Sequence, residues 1–161
     1  MIQPNHVRPL AAAAAMFAMA GLPVLSAQAE EVPMDKVEQA VKYRQNVMDA
    51  MGGLAGAAVG KLRDGFDFGP GLGDIASGLQ AMAADIPSLF PEGTDFGETK
   101  AKPEVWSDAD GFADKAAEAK DATAAFAEAV KSGDKAAMMQ AFRDVGDACK
   151  GCHEEYRKKE D

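Results

Sequence analysis

Cys149-Lys150-Gly151-Cys152-His153 is the stretch from which the rest of the chain is read. A Cys-x-x-Cys-His run is an attachment site for c-type haem. Two thiols at this spacing can add to the two vinyl groups of one haem, forming two thioether bonds. His153 follows directly and can offer an imidazole nitrogen to the iron. If the run is helical, Cys149, Cys152 and His153 stand at i, i+3 and i+4 and share one face. Other uses of the motif fit less well. A redox disulfide of this kind goes with a βαβ pattern, and none surrounds it. A structural zinc site needs further Cys or His ligands. These are the only two cysteines, and the only other histidine is His6, near the start.

The helix expected around the motif carries Met138, Ala141, Val145, Cys149, Cys152 and Tyr156 on one stripe. It ends in Arg157-Lys158-Lys159, and cations suit a helix C-terminus. Ser132-Gly133-Asp134 separates it from a third pattern that opens at Pro103, a good first-turn residue. That pattern runs through Val105, Ala109, Phe112, Ala116, Ala119, Thr123, Phe126 and Val130, with Phe112 and Phe126 read as core. Trp106 reads as a packed aromatic at the helix start. Residues 88–102 are rich in Pro, Gly, Thr and charge and read as a long surface loop. Connections of this length are uncommon in compact domains and often border a ligand. The second pattern is Leu72, Ile75, Leu79, Met82, Ile86 and Leu89, closed by Pro87 and Pro91.

The first pattern runs from about Asp35 to Lys61, with Asp35 as the expected N-cap. Its stripe is Val37, Val41, Met48, Met51, Ala55, Ala58 and Leu62, in alternating steps of three and four apart from one gap. Arg44 falls in that gap, on the core side. Gly52, Gly53 and Gly56 weaken the helix and would let something bulky approach its backbone. No stretch alternates with period two. The expected fold is therefore all-α: an antiparallel four-helix bundle, its ligands held among facing helices, with haem covalently attached on the C-terminal helix.

Residues 1–29 read as a cleaved secretory signal peptide, leaving 30–161 as the haem domain. Arg8 is the positive n-region, Leu10 to Leu22 the apolar core, and Ala27-Gln28-Ala29 the cleavage site. The apolar run is too short to span a bilayer, so no membrane insertion is expected after cleavage. Export to the periplasm agrees with covalent haem. Removal of His6 leaves His153 as the sole histidine, which excludes a bis-histidine iron within one chain. The 17 basic and 26 acidic side chains give a net charge of −9, which becomes about −10 without Arg8. Such a chain is a poor ligand for nucleic acid or an anionic membrane. The acidity either steers the protein to basic partners or only keeps it soluble.

The chain resembles class II c-type cytochromes, the cytochrome c′ group with its low-spin methionine-ligated relatives. The resemblance rests on Lys42-Tyr43-Arg44-Gln45, on Lys102-Pro103-Glu104-Val105-Trp106, and on Val145-Gly146 to Tyr156-Arg157-Lys158 around a C-terminal haem motif. It implies one haem c, held by Cys149 and Cys152, with His153 on the iron. It implies that Arg44 and Gln45 lie against the haem. For Arg44 the stripe argument agrees, since a core arginine needs a partner such as a propionate. The competing reading lays its stem on apolar surface with its head in water. Gln45 on spacing alone is an ordinary polar residue.

Met48 corresponds to the family's distal haem position. A methionine there either ligates the iron, giving a low-spin carrier, or only packs over it, as a gap-filling thioether in the core. Two functions follow from the resemblance. The first is periplasmic electron transfer with redox partner proteins. The second is a five-coordinate haem that binds or sequesters nitric oxide or carbon monoxide. An enzyme is not expected, because the first-helix stripe offers no His, Asp or Glu as acid–base group. A homodimer is suggested by the resemblance alone.

Overall fold

The computed structural model describes residues 33–159. The leader expected at 1–29 lies outside them. The first helix, α1, spans Met34–Leu62. Its stripe buries Val37, Val41, Met51, Ala58 and Leu62, and Arg44 fills the gap as a buried residue. Met48 and Ala55, expected on the same stripe, are only half-buried. Asp35 is not the cap. The helix starts one residue earlier, behind Pro33, and Asp35 sits in the first turn, where a carboxylate still suits the positive end of the helix.

After a turn with positive φ at Gly65 and Gly69, α2 spans Leu72–Ala84 and buries Ile75, Ala76, Leu79 and Ala83. A 3-10 turn at Ile86–Leu89 follows, holding Pro87. The irregular segment from Phe90 leads to a short α3 at Glu104–Ser107, then α4 at Ala109–Ser132 and α5 at Lys135–Tyr156. Gly133 takes the left-handed conformation at φ 74° that ends α4. Asp134 caps α5 by accepting from the amides of Ala136 and Ala137 at 2.8 and 3.1 Å. The main packing is α5 on α4, α4 on α2 and α2 on α1, while α1 and α5 touch only slightly. The result is the expected four-helix bundle, with α3 as an extra turn.

The continuous third helix expected from Pro103 is in fact broken at Asp108, which has φ −122° and ψ 57°. Val105 and Phe112 are seven residues apart, two helical turns, so the apolar rhythm runs across the break without marking it. The break turns the Asp108 carboxylate toward α5, where it accepts from the Tyr156 hydroxyl at 2.7 Å. Gly111 leaves the room for this bond: a methyl group there would lie 2.6 Å from the Tyr156 oxygen.

The end of α5 also differs from expectation. The helix stops at Tyr156, and Arg157 is extended and forms an isolated antiparallel bridge with Ala101. The amide of Lys102 donates to the Tyr156 carbonyl at 2.9 Å, and that of Lys158 to the Lys100 carbonyl at 2.8 Å. Lys102 Nζ donates to the carbonyls of Glu154 and Glu155 at 2.9 and 3.0 Å. These are terminal carbonyls that the helix itself cannot satisfy. A cation from the preceding loop therefore caps α5.

Donation to Asp108 pushes the Tyr156 hydroxyl up to about 12, with burial adding to it. A raised folded-state value stabilises the fold below the unfolded value of 10.0 and is lost as pH rises toward about 12. Tyr156→Phe should lower Tm by about 3–6 °C at neutral pH. It should also remove this part of the alkaline destabilisation. Thermal melts from neutral to alkaline pH check both.

Candidate functional site

Where α1 and α5 stand apart, the bundle holds a cavity of about 510 Å³. This lies within the usual range for small-molecule and cofactor sites. Leu79, Ile86, Phe112 and Val145 supply apolar walls from α2, the 3-10 turn, α4 and α5. Cys149, Cys152 and His153 line it from successive turns of α5, and Arg44, Gln45 and Met48 from α1. All six residues singled out in the sequence thus meet at one cavity.

The thiols are free and half-buried. Burial pushes the Cys149 thiol up. Burial first, and then neighbouring Cys149 and Glu155, push that of Cys152 up to about 11. Redox-active Cys-x-x-Cys pairs work through a lowered thiol pKa, so this environment opposes a disulfide-exchange role. His153 is exposed overall. Partial burial, and secondarily the Arg157 charge, hold it below the ordinary imidazole value. The neutral imidazole is the form with a lone pair to give to a metal.

Arg44 is only 3% exposed. Its Nη1 donates to Thr94 Oγ1 at 2.8 Å, and its Nη2 to the Thr94 carbonyl at 2.7 Å and Thr99 Oγ1 at 2.6 Å. Its guanidinium carbon lies 5.1 Å from the Phe90 ring centre and 5.5 Å from that of Trp106, within cation–π range. Burial pushes its pKa down, and the charge of Asp95 partly offsets this. The solvated-head reading therefore fails. These bonds use three of the five N–H donors, and every hydrogen-bond partner is neutral.

Thr94 and Thr99, both buried, are the functional residues that sequence reasoning misses. Nothing in a Thr-Asp-Phe-Gly-Glu-Thr run marks it as interior. The arginine fifty residues earlier does that. Gln45 is half-buried and donates to the Glu98 carbonyl at 3.0 Å, so it ties down the same loop. Trp106 likewise ties α3 to the loop, through Nε1 to the Pro91 carbonyl at 3.2 Å. Arg44→Leu leaves the Thr94 carbonyl without its charged donor. It should cost about 1.5–3 kcal/mol and loosen residues 90–102. Urea unfolding of the holoprotein checks the first effect, and limited proteolysis the second.

Met51 also lines the cavity and is more deeply buried than Met48. Gly52, Gly53 and Gly56 are all exposed, and of the three Gly52 lines the cavity wall. Asp49 lines the cavity too, although it is off the stripe and exposed. The donor set fits a haem: apolar walls for the ring, two sulfurs and an imidazole on one helix, and a buried cation for an acidic edge.

A family model described as cytochrome c′ matches residues 39–157. Cytochrome c-554 of Cereibacter sphaeroides is 33% identical over 159 residues, covering 96% of this chain and 100% of that one. Cytochrome c′ of Rubrivivax gelatinosus is 40% identical over 133 residues, covering 77% and 98%. The solved nitric oxide complex of a mutant cytochrome c prime from Alcaligenes xylosoxidans superposes with a TM-score of 0.66 at 32% identity, covering 76% of this chain and 97% of that one. With the C-terminal motif and the bundle around its cavity, these matches make the chain a member of the cytochrome c′ family of class II c-type cytochromes, with haem c, bound through Cys149 and Cys152, as its cofactor.

Proposed function

We propose that the chain is a periplasmic electron carrier in which His153 and Met48 would hold the haem iron. The observation that carries this reading is that an imidazole on α5 and a thioether on α1 line one apolar cavity. Bound haem supplies an iron that passes between ferric and ferrous forms. The protein supplies the surroundings. Leu79, Ile86, Phe112 and Val145 exclude water, which strengthens the field of any fixed charge nearby. Arg44 is a buried cation with only neutral hydrogen-bond partners, and such a charge favours an anion beside it. A propionate is that anion, with Gln45 beside it at the cavity wall. The same positive charge disfavours the ferric form and raises the potential. Among the described residues, no helix is long and apolar enough to cross a membrane.

A second reading is gas binding, with Met48 as a steric gate that does not ligate. A solved relative holding nitric oxide favours it. Catalysis is the weakest reading: Asp49 is the only carboxylate lining the cavity from α1, and it is exposed. Absorption spectra separate the first two. A low-spin ferric form with the weak red band of methionine-ligated iron supports electron transfer. A high-spin spectrum that shifts under carbon monoxide supports gas binding.

A further inference from the structure

Met48 on α1 and His153 on α5 line one cavity, yet the two helices touch only slightly. Helix packing joins them mainly the long way round, through α2 and α4. The short way is the irregular segment before α3. On its α1 side, Thr94 accepts from Arg44 through its hydroxyl at 2.8 Å and its carbonyl at 2.7 Å, and Thr99 Oγ1 accepts at 2.6 Å. The Glu98 carbonyl accepts from Gln45 at 3.0 Å. On its α5 side, Lys158 donates twice: its amide to the Lys100 carbonyl at 2.8 Å, and its Nζ to the Thr99 carbonyl at 3.0 Å. Ala101 forms the bridge to Arg157. Thr99 joins the two sides. Its hydroxyl accepts from Arg44 and from the Ala101 amide, while its carbonyl accepts from the residue just past α5. Both joints lie close to the groups that line the cavity. Met48 is one helical turn beyond Arg44, and the His153 carbonyl accepts from the Arg157 amide at 3.1 Å. Thr94, Thr99 and Ala101 are at most 8% exposed, so water does not replace a bond lost there.

We propose that residues 94–101 are a crossbar that fixes the gap between α1 and α5, and so how closely Met48 approaches the iron that His153 would hold. Thr94 and Thr99 are its positioning residues. The proposal rests on Met48 and His153 serving one haem, as in the reading above, and it applies whether Met48 ligates or only covers the iron. With a joint cut, α1 gains freedom to move away from α5, because little direct packing opposes it. The hydroxyls at 94 and 99 then decide how far the distal side is shut, without touching the iron themselves.

Thr94→Val is the sharpest variant, because Thr94 stands outside the cavity lining and valine keeps its volume while removing the hydroxyl. In the ferrous holoprotein it should speed carbon monoxide association about tenfold, the factor lost with one bond to a charged group. Thr94→Ser keeps the hydroxyl and should restore the wild-type rate. Hydrogen exchange of the Ala101 amide should quicken in Thr94→Val. In a Met48→Ala background, Thr94→Val should leave the rate unchanged, since the side chain through which it acts is gone. Asp134→Ala removes the N-cap at the other end of α5 and should lower Tm without changing the rate. An unchanged rate in Thr94→Val overturns the proposal. So does equal acceleration with and without Met48, or the same acceleration in Asp134→Ala, which would mean general loosening. Lys158→Met cuts the α5 side from an exposed residue and should accelerate binding about twofold. It decides the matter if Thr94→Val fails to hold haem, and no acceleration there overturns the proposal. A wild-type ferric spectrum without methionine ligation removes the electron-transfer reading alone, because the four rates with and without Met48 and Thr94 still test the crossbar.

Discussion

Cys149→Ser combined with Cys152→Ser should give a chain that carries no covalent haem and melts without a sharp transition. Wild-type protein, in contrast, should keep its haem on the polypeptide through denaturation and acid–acetone extraction, with a mass increased by one haem. The size of the second effect follows from the cavity. At about 24 cal/mol per Å³, a dry cavity of about 510 Å³ would cost about 12 kcal/mol. Water entering from the open side lowers that figure. It is still comparable with the whole stability of a domain, about 5–15 kcal/mol. The double variant should therefore keep much of its helix by far-ultraviolet circular dichroism but lose its near-ultraviolet signal, the signature of lost side-chain packing. A variant that melts as sharply as wild-type holoprotein would show that the bundle does not depend on its cofactor. Haem extracted freely from wild type would remove the thioethers altogether.

Met48→Ala should change the spectrum more than any other substitution that leaves the haem attached. If the thioether ligates, the variant passes from low to high spin and opens to carbon monoxide. If it only covers the iron, the spin state stays high and carbon monoxide binds faster. Met51→Ala is the control, because Met51 lines the same cavity and is the more buried of the two. Met48 and Ala55 are the half-buried members of the stripe, and both line the cavity. An unchanged Met48→Ala spectrum beside an altered Met51→Ala spectrum would mean that the α1 register toward the haem is off by one turn.

The parts legible in the sequence were those with a local rhythm or a fixed spacing. The steps of three and four along α1 located the buried face and made Arg44 stand out as a charge on it. The motif spacing placed two sulfurs and an imidazole on one helix. The parts that stayed hidden depend on distant residues. Thr94 and Thr99 are buried because Arg44 draws the loop inward. The break at Asp108 is masked because Val105 and Phe112 keep the heptad rhythm across it. Lys102 reads as a surface lysine until α5 ends beside it with carbonyls to satisfy.

The burial of the two thiols sets an order in time. Cys149 stands on α5, which follows the other helices of the bundle, so most of the bundle precedes the attachment site along the chain. Once α5 docks, burial pushes both thiols up, away from the thiolate form that reacts. The sulfurs are therefore more reactive while α5 is loose than in the docked helix.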